Sequence, residues 1–175
     1  MEKGILCYNL VKNIKHESIA MNEVQRIRES VEIPNGLRLH QYANLYFTYH
    51  NPMLYKRQDE ADNLCILAVS NKVLDIEGCV VSDQNAATNL VRFYEPDMGI
   101  EKIDFNKVFA QVWIHPNNRE TMLHRAIKCA EVLVPNAIPY EYVIGACVVS
   151  EEVKIRLEEK GFNRKILVRP TYFYR

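Results

Sequence analysis

The sequence has no net formal charge: 22 lysines and arginines balance 22 aspartates and glutamates over 175 residues. A basic field covering the whole surface is excluded, so any nucleic-acid partner must be held by a local patch. The five cysteines (7, 65, 79, 129 and 147) form no CxxC pair, which argues against a zinc ribbon or a thioredoxin-like motif. Spread through mostly apolar surroundings, they read as small core residues in a reducing cytosol, and a cytoplasmic location is expected. The six glycines are scattered and build neither GxGxxG nor GxxxxGK[ST], which removes the glycine-rich phosphate cradles. The five histidines lack HExxH or comparable ligand spacing; each reads as a surface or core histidine, and no metal is expected. No signal-peptide pattern and no membrane-length apolar run occurs, so neither export by that route nor membrane insertion is expected.

What is present suits one domain, 1–175, with a sizeable core: 48% of residues are hydrophobic and 25% charged,. Ser18 to Ser30 reads as a short helix with Ile19, Val24 and Ile27 turned inward, capped by Ser18 or Asn22. "IPNGLRL" is a turn. "NLYFTYH", "NLCILAVS", "GCVVS", "YEYVIGACVVS" and "KILVRPTYFYR" read as strands,. "SDQNAATNLVRFY" looks like a turn leading into a short helix, and "FAQVWI" is either a strand or the end of a helix begun at Asp104. "NNRETMLHRAIKCAE" is the clearest helix, capped by Asn117 or Asn118, with Leu123, Ile127 and Ala130 on one face. It runs into the strand "EVLV". "EEVKIRLEEKGF" is a further helix, closed by Gly161. Strands outnumber helices without regular alternation, and the class is α+β.

Two stretches carry candidate chemistry. In "CAEVLVPNAIP" a single carboxylate, Glu131, enters an apolar strand. Ala130, Val132 and Val134 share one face, which leaves Glu131 with Leu133 on the other. An ionised carboxylate is costly to bury unless paired, so that second face is either wet or lines a cleft. A carboxylate lining a cleft contributes little packing, and its removal is expected to spare the fold. Cys129 has no histidine near it in sequence and reads as packing. The second stretch, "LYFTYHNPMLYKR", sets aromatics and two basic groups around an Asn-Pro turn. That is the material for a stacked base and its phosphate, and equally for an ordinary half-buried strand.

Taken together, "HESIAMNEVQRIR", "LHQYANLYFTYHNPMLY", "SDQNAATNLVRFY" and "KCAEVLV", in this order and spacing, resemble the DarT family of DNA ADP-ribosyltransferases. There the corresponding runs read "SIA…IQ-R-R", "LHDYVPFYF…PMLY", "TD-(N/H)A" and "QAEFLV". The resemblance implies an ADP-ribosyltransferase-like fold, with two small twisted antiparallel sheets around an NAD cleft. It implies transfer of ADP-ribose from NAD to a base of single-stranded DNA, thymine being the type substrate. The same chemistry on RNA or guanine stays open, as does a degenerate member that binds nucleic acid or protein without catalysis. It also implies a toxin whose mark is removed by a macrodomain antitoxin.

By position, the resemblance makes Glu131 the catalytic glutamate and Arg28 the catalytic arginine, with Arg26 close enough to be confused with it. Gly4, Leu6, Tyr46 and Phe47 fall on the NAD side. His50, Asn51, Met53 and Tyr55 fall where the target nucleotide is gripped, beside Lys56 and Arg57, and Asn85 falls on the substrate side. Family members begin with a strand reading roughly Tyr-His-Ile-Thr, followed by a helix. This sequence starts near the end of that helix, and weakened NAD contacts are expected from it.

Overall fold

The computed structural model describes residues 4–16, 20 and 22–174. Along the chain come β1 (Ile5–Leu6), α1 (Tyr8–Val11), α2 (Asn22–Ser30), β2 (Tyr42–Tyr46), α3 (Pro52–Lys56) and β3 (Ile66–Val69). Then follow β4 (Val80–Ser82), β5 (Phe93–Tyr94), α4 (Pro96–Lys102), α5 (Phe105–Phe109), α6 (Asn118–Lys128) and β6 (Glu131–Pro135). The chain closes with β7 (Ala137–Ile138), β8 (Val143–Val148), α7 (Glu151–Glu159) and β9 (Lys165–Val168).

The fold is α+β. A four-stranded antiparallel sheet runs β2-β6-β4-β5, a three-stranded sheet runs β3-β8-β9, and β1 pairs with β7. The three-stranded sheet is mixed, where antiparallel sheets are expected from the sequence: β8 and β9 are parallel. The reason is the connection, because α7 carries the chain back along the sheet, as a parallel pair requires. The first core cluster gathers Ala43, Val81, Ala130, Val132 and Val134, and a second gathers Ala146, Val148, Val153 and Phe162. A third cluster, Ile33, Leu39, Tyr42, Ala86 and Leu133, lies on the opposite face of β6. The alternation read from "AEVLV" is therefore the one observed.

Several elements depart from the sequence reading. The Ser18 cap and Ile19 lie outside the described residues. In α2, Val24 is half-buried and Ile27 is exposed, while the buried side chain is Arg28. β2 ends at Tyr46 because Thr48 turns the chain, its Oγ1 accepting from the His50 N–H at 3.1 Å. The "SDQNAATNLVRFY" loop returns to strand β5 instead of entering a helix. Asp83 Oδ1 accepts from the Arg92 N–H at 3.0 Å and closes the loop. "FAQVWI" begins as the end of α5, capped by Asp104.

Leu123 is 48% exposed, and the face that α6 buries carries His124 and Lys128. Their burial is possible because main-chain acceptors meet them. Lys128 Nζ donates to the carbonyls of Val108 (2.9 Å) and Ala110 (2.7 Å), and His124 Nε2 bonds to that of Lys107 at 3.0 Å. Cys65 is exposed and Cys147 half-buried, so only Cys7, Cys79 and Cys129 are core residues.

Candidate active site

Glu131 opens β6, the strand that β2 and β4 flank. Its cross-strand neighbours are Tyr46 on one side and Ser82 on the other, so all three side chains leave the same face of the sheet. The carboxylate is 0% exposed. Oε1 accepts from the Ala86 N–H at 3.0 Å, and the Glu131 N–H donates to Ser82 Oγ at 3.2 Å. Asn85 builds the turn that aims Ala86: its Oδ1 accepts from the Ala87 N–H at 2.8 Å, and its N–H donates to the Ala126 carbonyl at 2.9 Å.

Arg28, in the last turn of α2, closes the carboxylate from the other side. Nη1 donates to Oε1 at 3.0 Å and to Oε2 at 3.1 Å, and Nη2 donates to Oε2 at 3.1 Å. Such a planar fork matches a carboxylate as lysine cannot. Burial by itself would lower the arginine pKa; the charge and hydrogen bonds of Glu131 outweigh it, and the net shift is upward. Arg26 is exposed, and Arg28 is the arginine bonded to the carboxylate, so the structure separates the two arginines that the sequence left adjacent.

Around the pair, ionisation is suppressed. Burial, and then the negative charge of Glu131, push the Tyr46 phenol upward. The same two causes in the same order push the Cys129 thiol up to about 12, against an opposing hydrogen bond from the Asn85 side chain. Cys129 is thus a neutral thiol at physiological pH, in line with its reading as packing. Tyr46 donates its hydroxyl to Met53 Sδ at 3.7 Å, which links the Asn-Pro segment to the site.

A cavity of about 240 Å³ opens beside the pair, lined by Leu6, Tyr8, Gln25, Arg28, His40 and Asn44 among others. Arg28 is a wall of it and Glu131 lies beyond Arg28, so the carboxylate is enclosed where sequence reasoning had it facing a cleft. Of the residues expected on the NAD side, Leu6 lines the cavity and Tyr46 faces Glu131. Phe47 points to the opposite face, packing on the core edge-to-face with Phe105 at 5.7 Å. Gly4 has φ +72°, and a Cβ there would stand 2.0 Å from the Ile138 carbonyl oxygen. The close pairing of β1 with β7 accounts for that glycine.

The expected nucleotide-gripping residues divide. Asn51 is buried and caps α3, its Oδ1 accepting from the N–H groups of Met53 and Leu54, both at 3.0 Å. His50 and Tyr55 join Trp113 and Tyr174 in one aromatic cluster, with ring centroids 4.7 to 6.0 Å apart. The Tyr55 ring is half exposed, and Lys128 Nζ lies 5.2 Å from the Trp113 centroid. Trp113, Lys128, Ser82, Ala86 and His40 carried no signal of their own in the sequence, although Ala86 and His40 lie inside the runs "SDQNAA" and "LHQY". Among the described residues, no group of three or more His, Cys, Asp or Glu is placed to hold a metal, and no helix is long and apolar enough to cross a membrane.

Comparison with known proteins places the chain in a family. The family model described as "ssDNA thymidine ADP-ribosyltransferase, DarT" matches residues 1–174. The chain belongs to the DarT family. It is 28% identical over 181 residues to a DNA ADP-ribosyl transferase-DNA ADP-ribosyl glycohydrolase fusion protein of Thermosipho africanus, covering 99% of this chain and 46% of that protein. It is 28% identical over 153 residues to a DNA ADP-ribosyl transferase of Thermus aquaticus, covering 81% of this chain and 65% of that one. The chain thus spans about half of the first curated relative and under two thirds of the second.

The fold is that of the Thermus sp. 2.9 DarT solved with ADP-ribosylated single-stranded DNA: the TM-score is 0.85 at 24% identity, covering 98% of this chain and 88% of that one. Thermosipho africanus DarTG in complex with ADP-ribose matches with a TM-score of 0.83 at 25% identity, over 99% of this chain and 47% of that one.

Proposed function

We propose that this DarT-family chain is an enzyme that transfers ADP-ribose from NAD to a base of single-stranded DNA, thymine being favoured, and that 1–175 forms one ADP-ribosyltransferase-like domain. The observation that carries the reading is the buried Arg28–Glu131 fork beside a cavity able to admit part of a dinucleotide. Cleavage of the bond between nicotinamide and ribose C1′ leaves the electron pair with nicotinamide and positive charge on the ribose. A carboxylate fixed by a strand, a backbone N–H and an arginine stabilises that charge most in the transition state. The base nitrogen then bonds to C1′ and releases its proton, for which Glu131 is the acceptor. Because Arg28 stands between the cavity and Glu131, substrate reaches the carboxylate only by sharing or displacing that guanidinium.

His50, Met53, Tyr55 and Asn85 are proposed to form the DNA side, with Asn51 setting its backbone. Leu6 and Tyr46 are proposed to face NAD, with Gly4 holding the backbone beside them. A glycohydrolase able to remove the mark is the expected antagonist, as in the fused Thermosipho africanus relative, and the pair would form a toxin–antitoxin system with a macrodomain antitoxin. The test is incubation with NAD labelled in its adenylate and with single-stranded oligonucleotides that contain or lack thymine, beside RNA and duplex controls. Label confined to thymine-containing single strands is expected; label on RNA or on thymine-free strands would move the substrate assignment. No label on any nucleic acid would leave a binding protein without catalysis.

A further inference from the structure

We infer that Trp113 and Tyr174 are positioning residues for the target strand: their rings hold His50 and Tyr55, two side chains proposed to grip single-stranded DNA, in a fixed arrangement. The inference rests on that proposed DNA side. Trp113 and Tyr174 come from segments distant in sequence from His50 and Tyr55, and each touches both. Trp113 meets His50 edge-on with centroids 5.3 Å apart, and Tyr55 at 6.0 Å. Tyr174 lies 4.7 Å from His50 and 5.2 Å from Tyr55. The two also meet each other at 5.9 Å with planes 85° apart. The edge-to-face contacts among them are of the kind aromatic rings prefer.

Both holding rings are anchored. Trp113 is 7% exposed, and Lys128 Nζ, itself fixed by the Val108 and Ala110 carbonyls, lies 5.2 Å from its centroid. Tyr174 follows Phe173, which is buried in the second core cluster. On the other side of Phe173, Tyr172 stacks on Tyr49 with centroids 4.1 Å and planes 13° apart. One buried anchor therefore carries two rings onto the successive residues Tyr49 and His50. Within the loop between β2 and α3 the polar bonds are short-range: the His50 N–H donates to Thr48 Oγ1, and Asn51 Nδ2 donates to the Thr48 carbonyl. Those bonds shape the turn. The ring contacts set where it sits against the rest of the molecule.

Fixing a gripping side chain beforehand removes the conformational entropy that binding would otherwise cost. Tyr55 stands to gain most, because it is 45% exposed and lies on a helix of five residues. Tyr174 does this work through its ring. Its hydroxyl is buried and has no hydrogen-bond partner among the described residues, so the free protein should lose nothing when that hydroxyl is removed.

The experiment is steady-state transfer of labelled ADP-ribose from NAD to a thymine-containing single strand by wild type, Tyr174→Phe, Tyr174→Leu and Trp113→Phe. Calorimetry of NAD and melting curves accompany it. Tyr174→Leu should raise KM for the strand about three- to tenfold, the scale of one aromatic contact. Its kcat and NAD affinity should stay within twofold, the pattern of lost strand binding. Tyr174→Phe should keep the wild-type KM and melt no lower than wild type. In a chain already carrying His50→Leu and Tyr55→Leu, Tyr174→Leu should add less than twofold, since nothing remains for it to position. Trp113→Phe, with a smaller ring, should raise KM in the same way, and it carries the test should Tyr174→Leu fail to fold. Unchanged KM in both folded variants would overturn the inference. So would a Tyr174→Phe loss as large as that of Tyr174→Leu, which would put the hydroxyl on the strand itself, or parallel falls in kcat, NAD affinity and melting temperature. A wild type that labels no nucleic acid would instead remove the DNA side, and this inference with it.

Discussion

Arg28 and Glu131 lie 103 positions apart in the sequence and meet in three hydrogen bonds of 3.0 to 3.1 Å, with the carboxylate wholly enclosed. One residue belongs to a surface helix and the other to a central strand, so the pair fastens α2 to the four-stranded sheet.

That attachment sets a stability prediction. Removing one partner of a buried ion pair strands the other charge, at a cost of about 3–5 kcal/mol. Arg28→Ala should therefore lower the urea midpoint strongly, while exposed Arg26→Ala should change stability by no more than about 0.5 kcal/mol. Glu131→Ala should be costly too, contrary to the expectation from sequence that its loss spares the fold. Equal, small effects from Arg28→Ala and Arg26→Ala would show that the pair does not hold α2.

Acid should loosen the protein in a defined way. Burial, then Arg28, lower the folded-state pKa of His40, with Lys12 adding to the fall and Glu29 opposing it. Burial, then Lys128, lower that of His50. For a group with a depressed folded pKa, the unfolded chain binds the proton first, so stability is complete above the unfolded value of about 6.5 and declines as pH falls towards the folded value. Melting temperatures between pH 8 and pH 5 should fall below about 6.5, and less steeply in His40→Asn. A flat profile across that range would contradict neutral rings at buried His40 and half-buried His50.

Asn51 and Tyr55, four residues apart, should separate into different roles. Asn51→Ala removes a helix cap and should cost about 1 kcal/mol of stability. Tyr55→Ala should leave stability nearly intact and weaken single-stranded DNA binding, by about 1–3 kcal/mol if its ring stacks on a base. Binding isotherms at fixed salt, read beside melting curves, make the distinction; unchanged DNA affinity in Tyr55→Ala would take the aromatic cluster out of the interface.

Lys128 tests the support of the segment that carries Trp113. Replacing it with methionine keeps the apolar stem but leaves the buried Val108 carbonyl and the half-buried Ala110 carbonyl without their donor, the buried acceptor alone costing about 1–3 kcal/mol. Amide hydrogen exchange should accelerate in residues 108–116 before it does in β6. Uniform acceleration throughout would mean that Lys128 supports the whole domain equally.

The strand around Glu131 was legible because alternation is local: Ala130, Val132 and Val134 against Glu131 and Leu133 need only period two. The cap of α6, read as Asn117 or Asn118, was legible for the same reason, since the Asn117 side chain and the Arg119 amide it accepts from lie two residues apart. Leu123 misled because apolar spacing on α6 pointed to one face, whereas His124 and Lys128 could be buried once α5 supplied carbonyl acceptors from 17 to 20 residues away. The enclosure of Glu131 was likewise invisible, because it depends on where α2 docks and no local pattern encodes that. Phe47 shows the converse: it adjoins Tyr46 in sequence, yet just past the end of β2 it packs into the first core cluster while Tyr46 faces Glu131.

The most direct measurement of the central claim is transfer of labelled ADP-ribose from NAD to a thymine-containing single strand by wild type and by Glu131→Gln, which keeps the size and one acceptor of the carboxylate. The Arg28–Glu131 site predicts that wild type labels the strand and that a folded Glu131→Gln chain does so at least about a hundredfold more slowly, the scale of losing one fixed electrostatic contact in a transition state. Labelling by Glu131→Gln at the wild-type rate would contradict it.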